Sequence, residues 1–144
     1  MMKHEFEKLA GYEVSYEDYT KIIEPMYMAT DLSKAEFVKC IDRKRFALPT
    51  KQQVINRMRK IANHLMKTCE HYTDSDARDE LERLAKAYAK RFYGLDWEND
   101  TKTYAILIPE YYFKEIQRGC TYPATLVIGR GSREYERITL VKAA

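Results

Sequence analysis

No CxxC pair, no nucleophile elbow of the GxSxG type and no glycine-rich phosphate loop of the GxxxxGK[ST] form occurs in this 144-residue sequence. Each absence removes a class of protein. The three cysteines, Cys40, Cys69 and Cys120, are odd in number and widely spaced, which argues against a secreted disulfide framework and for reduced thiols. With five Gly and four Pro, the chain is too poor in both to be loop-rich or disordered. No run approaches the ~20 apolar residues of a membrane span, and Met1 to Gly11 has no apolar stretch of leader length. These features lead to the expectation of a cytoplasmic protein that does not meet a membrane.

What remains is a globular composition, 45% hydrophobic and 33% charged, in a chain of single-domain length. Residues 1–144 read as one domain, with no linker, repeat or low-complexity segment. Ser15 with Asp18 forms a weak capping box before Tyr19, Ile22 and Ile23, and Pro25 should end or kink that helix. Ser33 with Glu36 is a better box, opening a helix through Phe37, Val38 and Ile41.

The strongest pattern runs from Thr50 to Gly94. Thr50 with Gln53 closes a capping box, after which Val54, Met58, Ile61, Leu65, Cys69 and Tyr72 recur at steps of three and four. After a break at Tyr72 to Ser75, Ala77, Leu81, Leu84, Tyr88 and Phe92 form a second stripe, and Gly94 is placed as a left-handed stop. Asp79 with Arg83 and Glu82 with Lys86 are expected as charge pairs on its outer face. Two long amphipathic helices with a short turn predict an antiparallel helical hairpin at the centre of the fold.

Beyond Gly94 the period changes. Tyr104 to Ile108, Thr125 to Ile128 and Tyr135 to Val141 read as strands, with Glu110 to Arg118 as a short helix stopped by Gly119. Gly129 to Glu134 reads as a hairpin loop. In the last strand Tyr135, Arg137, Thr139 and Val141 alternate with Glu136, Ile138 and Leu140. The expected fold is therefore α+β and mainly α: a central helical hairpin, short N-terminal helices and a small C-terminal antiparallel β-sheet.

Charge is the most informative irregularity. Arg43 to Cys69 contains eight Lys or Arg and no acid, whereas residues 70–100 carry five basic against nine acidic side chains. Arg57, Lys60, His64 and Lys67 follow steps of three, four and three, opposite the apolar stripe. Arg43, Lys44 and Arg45 lie one short connection earlier. Such a strip suits phosphates, or an acidic protein surface that it would steer and orient. It also suits a plain solvated helix face.

Arg130 and Arg133, within Gly129-Arg130-Gly131-Ser132-Arg133, add guanidinium groups beside backbone N–H groups, although the segment sits between strands rather than before a helix. Twelve Tyr supply packing area, and Tyr16, Tyr19, Tyr27, Tyr111, Tyr112 and Tyr122 lie where the apolar pattern is weaker. His64, Cys69 and His71 do not form a metal set on one helix, because Cys69 falls in the apolar stripe and the histidines on the polar face. His4 is placed in a frayed terminus. No catalytic group, metal or cofactor is assigned.

No known family's motif can be matched residue by residue. The reading is a small non-enzymatic binding protein, a regulator or inhibitor that occupies a protein partner in nucleic-acid machinery, in the manner of phage anti-CRISPR proteins. Direct nucleic-acid binding by the same basic residues is the alternative. An enzyme assembled from distant carboxylates and tyrosines is the third.

Overall fold

The computed structural model describes residues 1–67, 69–110 and 121–142. The chain is a mixed α+β protein that clusters into two compact units, Met1–Pro49 and Thr50–Ala144, each described in turn.

The N-terminal unit is helical. Helix α1 (Lys3–Ala10) carries buried Phe6 and ends at Gly11, whose φ of 80° is the left-handed stop that glycine accommodates. The Glu7 carboxylate accepts the Val14 N–H at 3.0 Å and holds the returning chain. His4 therefore stands in a formed helix, not in a frayed end, because Phe6 and Glu7 tie that helix down.

The Ser15 side chain caps α2 (Tyr16–Asp18) by accepting the Asp18 N–H. The chain then passes through a π-helical segment, Tyr19–Ile23, into α3 (Glu24–Met28). Of the two outcomes expected at Pro25, an end or a kink, the helix does not end there: it continues past Pro25 through a local distortion. The proline's missing N–H and its ring forbid an ordinary turn onto the Lys21 carbonyl. The backbone widens instead, with the Glu24 N–H donating five residues back to Tyr19. Ser33 caps α4 (Lys34–Cys40) and Asp42 caps α5 (Arg43–Phe46). Phe6, Val14, Tyr19, Ile23, Phe37, Ile41 and Phe46 form this unit's core.

The C-terminal unit opens with the expected capping box: Thr50 and Gln53 satisfy one another's backbone N–H at 3.2 and 2.8 Å. Helix α6 (Lys51–Leu65) is shorter than its apolar stripe, and α7 (Cys69–Tyr72) is a separate turn. The Met66 carbonyl, which a continuing helix would give to residue 70, accepts the Tyr122 N–H at 2.9 Å. A tertiary hydrogen bond thus overrides helical periodicity. Helix α8 (Ser75–Tyr93) is capped by Asp74 and stopped by Gly94 at φ 68°.

Strands β1 (Thr103–Pro109), β2 (Ala124–Arg130) and β3 (Arg133–Val141) form an antiparallel sheet in the order β1-β2-β3. Met58, Ala62 and Leu65 of α6, Leu81, Leu84, Ala85 and Tyr88 of α8, and Leu126, Ile128, Ile138 and Leu140 of the sheet share one core.

The pairing of β2 with β3 shifts at two places, at Tyr135, which is left between Glu134 opposite Gly129 and Glu136 opposite Ile128, and near the end of β3. Val141 is buried with Leu140 because the pairing shifts between Ala124 opposite Val141 and Thr125 opposite Thr139, a bulge that spends one extra residue. The hairpin loop is also shorter than expected. Gly129 pairs with Glu134 and Arg130 with Arg133, leaving a two-residue turn at Gly131-Ser132. The helix expected over Glu110 to Arg118 lies, past Glu110, outside the described residues, as do Tyr111, Tyr112, Gly119, Cys120 and the Cys69 side chain. Among the described residues, no helix is long and apolar enough to cross a membrane.

Candidate functional site

The face of α6 opposite its core residues Met58, Ala62 and Leu65 exposes Arg57, Lys60 and His64. Lys67 follows the end of that helix, so it leaves the helical row, though it too is exposed. Acids from the α8 segment reach into the row. Glu80 accepts from Arg57 at 3.4 Å and from Arg83 at 2.7 and 3.0 Å. Arg83 accordingly takes Glu80, three residues away, and not Asp79 as expected, while Lys86 pairs with Glu82 at 3.0 Å as expected.

Asp74 lies 2.9 Å from His64 Nε2, and the His71 ring meets the His64 ring edge-on at a centroid distance of 4.8 Å. The hydrogen bond from Arg83, with Arg57 nearby, holds the Glu80 carboxyl below its ordinary range. The bond to His64, with the cap bond from Ala77, does the same for Asp74. The row alternates cations with anions. Among the described residues no ion pair engages Lys60 or Lys67.

Arg43, Lys44 and Arg45 sit on the single turn of α5 in the N-terminal unit, all exposed. The Arg43 guanidinium lies 5.5 Å from the Tyr12 ring centre and that of Arg45 4.8 Å from the Phe46 ring centre, so aromatic faces orient both. This unit also exposes Tyr16 at 75% and Met28 at 77%, with Met26 and Leu32. Tyr19, by contrast, is buried, and Tyr27 packs on Phe37.

Arg130 donates to Asp100, which lowers the Asp100 carboxyl below its ordinary value. Arg133 lies over Tyr135 at 4.5 Å. The Gly131 N–H donates to the Lys102 carbonyl at 2.8 Å, so the turn spends on its neighbour a donor that a phosphate would need. Gly129 has a packing role: an added Cβ would stand 2.4 Å from both the Arg133 carbonyl oxygen and the Tyr104 hydroxyl.

One constellation escaped the sequence reading. The Glu136 side chain, 17% exposed, accepts from the Tyr88 hydroxyl at 2.5 and 2.9 Å and from the Tyr93 hydroxyl, with Lys51 Nζ at 3.5 Å. The Lys51 ammonium lies 5.5 to 5.7 Å from the ring centres of Tyr88, Phe92 and Tyr93. Burial pushes the Tyr88 hydroxyl well above the ordinary tyrosine range, and Glu136 adds to the effect; Tyr93 moves the same way for the same reasons. Partial desolvation opposes the charge on Lys51, but Glu136 and Tyr93 outweigh it and raise that group. The signal was present in the sequence: Glu136 shares the strand parity of core residues Ile138 and Leu140. An inward carboxylate needs donors. Here the phenols supply them, so the cluster acts as a clamp joining α6, α8 and β3.

Among the described residues, no group of three His, Cys, Asp or Glu gathers in a way that holds a metal ion. Comparison with protein-family models, with curated proteins and with solved structures finds no significant match.

Proposed function

We propose that this chain is a non-enzymatic cytoplasmic binding protein that regulates or inhibits a protein partner by occupying it. Its docking surface is the outer face of α6 and α8, taken as an antiparallel helical pair, and the partner belongs to nucleic-acid machinery. The observation that carries this choice is the interleaving of Glu80 and Asp74 among Arg57, Arg83 and His64. A strip that follows phosphates gains affinity by releasing counterions, and each carboxylate within it opposes that gain. A protein surface with its own alternating charges meets such a row favourably and in one register. Exposed Tyr16 and Met28 offer a second contact of the kind protein interfaces favour.

The test has two arms. Mobility shift with duplex and single-stranded DNA and with RNA at low salt is expected to show no complex. Affinity capture from a host lysate is expected to recover a partner with the wild-type chain and to lose it with Arg57→Glu/Lys60→Glu. A nucleic-acid complex that weakens log-linearly with salt and vanishes in the charge-reversed variant would overturn the reading in favour of direct binding.

A further inference from the structure

Strand β1 pairs with β2 and, among the described residues, with no other strand. Natural edge strands are ordinarily guarded by lysines, prolines, inward charges or bulges, and here the guard is Pro109 at the strand end alone. This one has the sequence Thr-Tyr-Ala-Ile-Leu-Ile-Pro, without a charge, and its pairing with β2 is unbroken by a bulge. Ile106 and Ile108 stand 49% and 41% exposed on the face away from the core.

The direction of the backbone groups can be read from the strand ends. The Lys102 carbonyl accepts from Gly131, and the Glu110 N–H donates to Pro123, so even-numbered residues turn their backbone groups toward β2. Odd-numbered residues turn theirs to the free edge. There Thr103 already donates its N–H to Asp100, and Pro109 has none to give. Among the described residues, the donors left open are those of Ala105 and Leu107, two residues apart about Ile106.

We propose that this edge pairs with the same edge of a second copy, antiparallel, about a twofold axis at Ile106. A twofold axis between like strands must pass through the centre of one residue pair, so some residue faces its own copy. With Ile106 at the axis, Ala105 and Leu107 exchange both backbone hydrogen bonds with Leu107 and Ala105 of the second copy. Tyr104 then faces Ile108 across the seam, an aromatic against a β-branched side chain.

Beyond the strand ends, exposed Lys102 falls opposite exposed Glu110 of the other copy, twice by symmetry. A register centred on Ala105 would instead set Glu110 against Asp100. Charge thus selects the Ile106 register, and Pro109 blunts the ladder where no N–H is required. Two three-stranded sheets become one continuous sheet, in the closed isologous arrangement commonest among oligomers.

Sedimentation of the full chain tests this by mass. The expected species is a dimer of twice 17.1 kDa that dissociates on dilution. Ile106→Cys is expected to form an intermolecular disulfide at 106 under mild oxidation, located by peptide mapping. Ile108→Cys should do so at least tenfold more slowly, because it and its own copy lie on opposite sides of the axis, four positions apart in register. Lys102→Glu and Glu110→Lys should each weaken the dimer about tenfold, and the double variant should restore it, with far-ultraviolet dichroism checking the fold of each. A 17.1 kDa monomer at millimolar concentration would overturn the proposal. So would equal cross-linking at 106 and 108, or a charge swap that fails to rescue.

Discussion

Replacing Glu136 with alanine is the sharpest perturbation available in the C-terminal unit. Its carboxylate accepts two phenolic hydrogen bonds, and Tyr88 is only 1% exposed. A hydrogen bond to a charged acceptor contributes about 1.5–3 kcal/mol, and a buried donor left without a partner costs about 1–3 kcal/mol. Tyr93 is partly exposed, so water can replace part of its bond. Lys51, half exposed, adds at most about 1 kcal/mol as a surface ion pair.

Because these contributions overlap, Glu136→Ala is expected to cost about 3 kcal/mol, and Glu136→Gln, which keeps an acceptor, about 1–2 kcal/mol. In a unit of this size 3 kcal/mol lowers Tm by roughly 15 °C. Urea unfolding followed by circular dichroism measures the change. Tyr88→Phe should cost less in the Glu136→Ala background than in wild type, with a coupling of about 1–2 kcal/mol. If Glu136→Ala stays within about 0.5 kcal/mol of wild type, or Tyr88→Phe costs the same in both backgrounds, the clamp does not stabilise the fold.

Two further outcomes follow from the same geometry. Gly129→Ala should destabilise by about 1–3 kcal/mol, since its methyl would meet backbone of the paired strand at 2.4 Å; thermal unfolding measures it, and an unchanged Tm would show that the hairpin relaxes freely. The raised hydroxyls of Tyr88 and Tyr93 bind their protons more tightly in the folded state, so the stability they contribute is full below about pH 10 and falls as pH rises above it. Burial raises the hydroxyls of Tyr12 and Tyr19 as well, so tyrosinate absorbance should show four of twelve Tyr ionising later than the rest, with Tyr88 and Tyr93 held back until ellipticity is lost, and complete ionisation of the folded chain at the ordinary tyrosine pH would refute this.

Local chemistry made much of the architecture legible in advance. The caps at Ser15, Ser33 and Thr50 and the stop at Gly94 each depend on neighbours a few residues apart, and the three strands show in short apolar or alternating runs. Such interactions are written in spacing alone. The errors came where a distant partner competed with a local rule. The Tyr122 N–H stops α6 at Leu65, and a bulge turns Val141 inward. At Pro25, where an end or a kink was expected, a local π turn, with the Glu24 N–H donating to Tyr19, carries the helix on.

For the candidate site the division is similar. Basic charge on α6 and its outward placement follow from sequence, because cations opposite an apolar stripe face solvent. That Glu80 and Asp74 interrupt this basic row was decided by packing of a second helix, 23 residues away in the case of Arg57 and Glu80. Glu136 shows the limit most plainly. Strand parity alone marked its carboxylate as inward, but only the folded chain could bring Tyr88 and Tyr93, more than 40 residues earlier, to satisfy it. Sequence determined which residues were apolar, capped or charged; tertiary structure chose their partners, because hydrogen bonds and ion pairs depend on distances that chain spacing does not set.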